Sequence, residues 1–325
     1  MMLQLDRRAF VAAFGAAALL PRAAFAQGIP APDREAMVPV EGGRIYVRVN
    51  GALDNGRPPI LMIHGGPGGT HASFLAALPL VDERAVILYD QLDSGRSDHP
   101  DDPANWRVSR FVDEVDAIRR ALNLSRLHVL GASWGGTVAL EYAARRPAGL
   151  ASVILESPLI STRSWIADAN ILRTQLSPEI QATLNRCERP SPPAAATCDA
   201  ATNDFYAHFL ARRPRDPARA AYARALPVPR NDRLYETMWG SSEFVSTGTL
   251  RTYDGEPLLA RLDGARTFFV CGQYDEARPA TLAGFAARVP GASFAAIEDA
   301  GHAILNDNPE TLLFHLRRWM RSHDA

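Results

Sequence analysis

The sequence predicts an α/β fold: a mostly parallel, doubly wound sheet with an inserted, largely helical cap. Short apolar runs alternate with amphipathic stretches from about residue 44. That alternation stops after Pro158 and resumes after about residue 257. Alternating strands and helices imply a parallel sheet covered on both faces, because each crossover helix must bury one apolar side against it. Residues 45–49, 60–63, 85–89, 127–130 and 153–155 read as strands. Between them, Phe111, Val115, Ile118 and Leu122 recur at the spacing of one buried helix face. Residues 137–146 are helical and stop at Pro147.

The middle of the chain reads differently. Residues 158–257 have few strand-like runs, many prolines (Pro190, Pro192, Pro193, Pro214, Pro217) and arginine-rich helical pieces. Strand and helix then return at residues 268–271, 281–288, 294–297 and 309–320. One α/β domain of residues 27–157 and 258–325, interrupted by a helical cap, accounts for this better than two independent domains.

Residues 1–26 read as an export signal. Arg7-Arg8 precede an apolar run over residues 10–20, and Ala24-Phe25-Ala26 supplies an A-x-A cleavage site before Gln27. The arginine pair followed by Phe10 resembles a twin-arginine signal, which implies a periplasmic protein. The apolar run is too short to span a bilayer, so no membrane anchor is expected after cleavage. Removing three arginines and one aspartate from a chain of net charge −1 leaves −3. That balance argues against a nucleic-acid partner, which requires clustered excess cations. The sequence has no lysine, which excludes Schiff-base chemistry and lysine-anchored pyridoxal phosphate. Cys187 and Cys198 are close enough in sequence to be a disulfide or two free thiols, and an oxidising compartment permits the first. Cys271, in an apolar run, reads as a buried strand thiol.

The chemistry is concentrated in a few motifs. Gly131-Ala132-Ser133-Trp134-Gly135-Gly136 follows a strand and opens a helix, the context that makes G-x-S-x-G a nucleophile elbow. Such a turn lifts the Ser133 hydroxyl off the sheet and aims the Trp134 N–H at a developing oxyanion. His64-Gly65-Gly66-Pro67-Gly68-Gly69 follows residues 60–63, where a second donor is needed, and the Gly66 N–H is the candidate. In this α/β-hydrolase arrangement an acid and a histidine follow in chain order. Asp275 and His302 each lie just past a strand. His302 would take the serine proton while Asp275 fixes its tautomer. Asp299 is a rival acid, disfavoured because it shares the histidine's loop. His64 is the remaining histidine expected to line the site. No cluster has metal-ligand spacing, and no cofactor is expected.

These motifs resemble the proline iminopeptidase family. So do Tyr89-Asp90-Gln91 with Gly95 and Ser97, Met238-Trp239-Gly240 with Glu243-Phe244, and Gly272-Gln273-Tyr274-Asp275-Glu276 with Gly301-His302. Together these motifs span essentially the whole mature chain, including the cap. The resemblance implies cleavage of an N-terminal residue, often proline, without metal or cofactor, and Glu243 and Glu276 as the carboxylates that hold the substrate's α-amine. Charged acceptors suit that task, since an ammonium donates strong, charge-assisted hydrogen bonds. Asp93 departs from the family, which usually has glycine there. Aspartate tolerates φ > 0, and a charge near the pocket would bear on leaving-group preference.

The expected partner is a small molecule or short peptide with a free α-amine, and the expected enzyme a serine aminopeptidase or amino-acid amidase. A carboxylesterase or lactonase could use the same triad. A non-catalytic binding protein should have lost a triad member, and none is missing. The sequence leaves the side-chain preference, the leaving group and the oligomeric state open.

Overall fold

The computed structural model describes residues 28–189 and 191–325. The expected export signal lies outside the described residues. Among the described residues the sheet has eight strands: β1 Arg34–Val40, β2 Gly43–Asn50, β3 Ile60–Ile63, β4 Val86–Tyr89, β5 Leu127–Ala132, β6 Leu150–Glu156, β7 Thr267–Gly272 and β8 Ser293–Ile297. Their order is β1-β2-β4-β3-β5-β6-β7-β8. β1 and β2 pair antiparallel, as do β2 and β4, and all other pairs are parallel. β3 to β6 are buried along almost their whole length, as strands covered on both faces must be.

β1 has no counterpart in the sequence reading. It is mostly exposed, contains Pro39, and sits at the sheet edge, where a missing N–H donor is tolerated. Its register comes from a tight reversal into β2 rather than from an apolar pattern.

The helices of the α/β core are α1 Val108–Ala121 and α2 Trp134–Ala144, then, after the inserted segment, α8 Pro279–Ala287, α9 Ile304–Asp307 and α10 Pro309–Arg321. Phe111, Val115 and Ile118 are buried on α1, as their spacing predicts. Between β6 and β7 come α3 Thr162–Arg173, α4 Pro178–Cys187, α5 Ala195–Phe209, α6 Pro217–Arg224 and α7 Asp232–Met238. Two of the many prolines here open helices: Pro178 and Pro217 occupy the first turn, behind the N-caps Ser177 and Asp216. This segment has a small apolar core of its own, including Leu172, Leu184, Phe205, Phe209 and Phe244. Cys187 and Cys198 are bridged, tying the end of α4 to α5, and Cys271 is a buried free thiol in β7. Among the described residues no helix is long and apolar enough to cross a membrane.

The topology decides where chemistry collects. In an open parallel sheet, side chains converge beyond the carboxyl ends of the strands. Here those ends deliver Ser133 after β5, Glu156 and Ser157 at β6, Asp275 after β7, and His302 after β8.

Candidate active site

Ser133 stands between β5 and α2 with φ 56° and ψ −121°, a conformation that costs a non-glycine residue about 1–3 kcal/mol. The turn is held open by its neighbours. The Ser133 N–H donates to Glu156 C=O at 2.9 Å, and its own carbonyl accepts from Gly136 and Leu159 N–H. Gly135 has to be glycine, because a Cβ there would lie 2.0 Å from the Ile63 carbonyl oxygen. The strained serine is thus locked between β3, β5 and β6.

His302 lies on the loop after β8 with its Nδ1 2.8 Å from Asp275 Oδ1. The Asp275 carboxylate is buried and fully occupied. It also accepts from the Ser157 hydroxyl, from Gly272 N–H at 2.9 Å and from Ala277 N–H at 2.8 Å. Asp299, by contrast, is exposed, and its N–H reaches Gln273. The Trp165 ring packs edge-on against the imidazole, with centroids 5.6 Å apart. Ser133 and His302 face one cavity of about 170 Å³, which Gly65, Glu156 and Ser157 also line.

Gly66 sits at φ 123° on the loop following β3. Gln91 holds that loop against the elbow: its side chain donates to the His64 carbonyl at 2.9 Å and accepts from the Trp134 indole at 2.8 Å. His64 needs correcting. The sequence reading has it lining the site, but the ring is fully buried beneath the loop and does not face the cavity. Its Nε2 accepts from Gln91 N–H at 3.0 Å, while Nδ1 lies 2.9 Å from the Gly65 carbonyl. Burial pushes its pKa down to about 4, so it is a neutral strut.

Glu276 is buried, and among the described residues neither carboxylate oxygen has a hydrogen-bond partner. Its Oε1 lies 3.8 Å from His302 Nε2. Burial, reinforced by the nearby negative charge of Glu243, holds this carboxyl well above the usual carboxylate range. Glu243 comes from the segment after α7. Gly240, at φ 154°, makes the turn that brings it round, and a Cβ there would lie 2.1 Å from the Val245 carbonyl. Tyr235 donates to Glu243 Oε1 at 2.7 Å, and the Trp165 indole donates to its carbonyl at 2.9 Å.

The electrostatic consequence falls on His302. Burial opposes charge on the ring, but Asp275, Glu276 and Glu243 outweigh it and push the imidazole up to about 10. Glu276 and His302 therefore compete for protons, each pKa raised by its acidic neighbours. Glu156 is a further buried acid in the cavity wall, pushed up to about 8 by burial and uncharged at neutral pH. Sequence reasoning missed it, along with Ser157, Trp165 and Tyr235, since none belongs to a local motif. Among the described residues no group of three or more His, Cys, Asp or Glu could hold a metal ion.

Asp93 adopts φ 65°, as expected, but its charge is not offered to the cavity. The buried carboxylate accepts from the Trp106 indole and from Asp101 N–H, each at 2.8 Å, and so braces its own loop.

Comparison with known proteins establishes the fold and the family. The α/β-hydrolase fold family matches residues 58–309. The proline iminopeptidase of Heyndrickxia coagulans is 36% identical over 280 residues, covering 86% of this chain and 96% of that protein. This chain belongs to the proline iminopeptidase family. The enzyme of that name from Levilactobacillus brevis is 33% identical over 90% of this chain and 97% of its own length. The crystal structure of the Mycobacterium smegmatis proline iminopeptidase superposes with a TM-score of 0.82 at 32% identity, covering 90% of this chain and 99% of that one.

A histidine acting as base works only when deprotonated, so a raised pKa moves the rising limb of activity to higher pH. For an ester without an amine, kcat/KM should keep rising well above pH 7. Glu276→Gln removes one of the charges that raise His302 and should move that limb to lower pH. Rate measurements across pH 6–10 check this, and a limb that stays in place would refute the assignment of the shift to Glu276.

Proposed function

We propose that this family member is a serine aminopeptidase that releases a small N-terminal residue, proline foremost, from short peptides and amino-acid amides. The observation that carries the reading is Glu276: a buried carboxylate with no hydrogen-bond partner among the described residues, 3.8 Å from the imidazole and close enough to Glu243 to feel its charge. A buried acid of this kind is costly unless a cation joins it. A substrate ammonium supplies that cation, and it ties recognition of a chain's amino terminus to the reacting histidine.

The arrangement supports the following steps. Ser133 Oγ attacks the scissile carbonyl as His302 Nε2 takes its proton, and Asp275 keeps Nδ1 protonated and stabilises the imidazolium. The Trp134 and Gly66 N–H groups receive the oxyanion. His302 then gives its proton to the departing amine, leaving the N-terminal residue esterified to Ser133. Water attacks that ester with His302 again as base, releasing the free amino acid. No metal or cofactor enters these steps. The ammonium also replaces the imidazolium as counter-ion to Glu243 and Glu276, which lets His302 work as a base nearer neutral pH.

We also infer export. The arginine pair, the apolar run and the A-x-A site support it, and the Cys187–Cys198 bridge suits an oxidising compartment. The intact mass of periplasmic protein should correspond to a chain starting at Gln27 with one disulfide. Protein retained in the cytosol with its leader attached would overturn this inference.

Specificity is tested by Glu243→Gln, which keeps shape and removes charge. A hydrogen bond to a charged group contributes about 1.5–3 kcal/mol, so kcat/KM on prolinamide should fall about ten- to a hundredfold. A short-chain nitrophenyl ester, which has no amine, should be hydrolysed at least as fast as by the wild type, because losing the Glu243 charge also lowers the His302 pKa. Equal losses on both substrates would make Glu243 structural, and no loss on either would favour an esterase.

A further inference from the structure

We propose that the cavity beside Ser133 receives the leaving group, and that Arg215 and Arg219 bind its free α-carboxylate, which specialises the enzyme for dipeptides and tripeptides. This rests on the aminopeptidase reading of Ser133, His302 and the glutamates.

Gly65, Ser133 and His302 line the cavity, as do Ser73, Phe74, Arg215 and Arg219. Neither Glu243 nor Glu276 lines it. The acidic pair and the cavity are therefore separate places that meet at His302. A substrate with its amine on the glutamates and its carbonyl at Ser133 directs whatever follows the scissile bond into the cavity. Glu156 is the one acidic side chain in the lining among the described residues, and burial keeps it uncharged at neutral pH. No fixed negative charge then opposes a carboxylate there.

The arginines are carried on a strap, residues 209–222, that is fastened at both ends to the catalytic core. At its start, Phe209 and Leu210 carbonyls accept from His302 and Ala303 N–H at 2.9 and 2.7 Å. The buried Asp307 carboxylate accepts from Arg212 and Arg213 N–H at 3.0 Å. At its end, the Tyr222 hydroxyl lies 2.8 Å from His71 Nε2, whose Nδ1 is 2.8 Å from Asp90. Arg219 is three residues before Tyr222 on α6, so the two share a face of that helix. The strap is thus anchored to the histidine loop at its start and to His71 at its end, and it places Arg215 and Arg219 in the cavity lining.

The arginines have donors to spare. Arg215 is exposed, and Arg219 pairs with Asp216 only at 3.7 Å, in a partly exposed contact of the kind that contributes little. A guanidinium carries five N–H donors in a fork that matches a carboxylate. Each added residue moves a peptide's carboxylate outward by about 3.5 Å. Two arginines four positions apart in the cavity lining can therefore meet the ends of two successive peptide lengths. Beyond that the chain leaves the cavity and the advantage ends.

The test is kcat/KM for Pro-Gly and Pro-Gly-Gly against their C-terminal amides, in the wild type and in the double variant Arg215→Gln/Arg219→Gln. Taking the ratio of acid to amide within one protein cancels any general loss of activity. The wild type should favour the free acid about tenfold. The double glutamine variant should bring the ratio close to one, and Arg215→Lys/Arg219→Lys should keep it above one because the charge stays. A wild type that treats acid and amide alike, or a ratio that survives the glutamine substitutions, overturns the proposal. Either result leaves the aminopeptidase reading standing so long as proline is released. If the wild type hydrolyses a nitrophenyl ester but releases proline from none of these substrates, that reading falls and takes this proposal with it.

Discussion

The Asp275 carboxylate is the point on which the site depends. It joins the end of β6 through Ser157, its own loop through Gly272 and Ala277, and the loop after β8 through His302. Each acceptor position is filled, so the group is held in one orientation and the imidazole tautomer is fixed with it. Ser133 is held with equal firmness from the other side, by the Glu156 carbonyl at the end of the same β6. One strand end therefore sets the nucleophile and the acid relative to each other. Local strain at Ser133 can persist because this surrounding structure over-determines it.

Charge is the second organising element. Three carboxylates, Asp275, Glu276 and Glu243, act on one imidazole and raise its pKa against the opposing effect of burial. In the proposed reaction such a site exchanges a proton for the substrate ammonium. The insertion between β6 and β7 supplies both Glu243 and the strap with Arg215 and Arg219, while the sheet supplies the reacting groups. The division is common in enzymes built on a rigid scaffold: strand ends carry the reaction, and inserted segments choose what reaches them.

Much of the α/β core could be read from sequence because its signals are local. A glycine-flanked serine between a strand and a helix, and an acid and a histidine just past later strands, are visible within a few residues each. β1 was not, since its alternation is weak, its apolar content low, and its pairing fixed by a reversal. Glu156, Ser157, Trp165 and Tyr235 were not legible either, because they matter through contacts made across the fold. His64 misled for the opposite reason: a histidine in a glycine-rich loop resembles a site residue, yet its hydrogen bonds point inward. Asp93 shows the same limit, since its φ could be anticipated from residue type but its partners Trp106 and Asp101 could not.

The central claim is that Ser133 carries the N-terminal residue of the substrate as an ester during turnover. The direct measurement is peptide mass spectrometry on enzyme quenched in acid while it hydrolyses proline p-nitroanilide. A prolyl adduct is expected on the peptide containing Ser133, absent when the amine of the substrate is acetylated and absent in Ser133→Ala. An adduct on another residue, or full turnover by a folded Ser133→Ala protein, would contradict it.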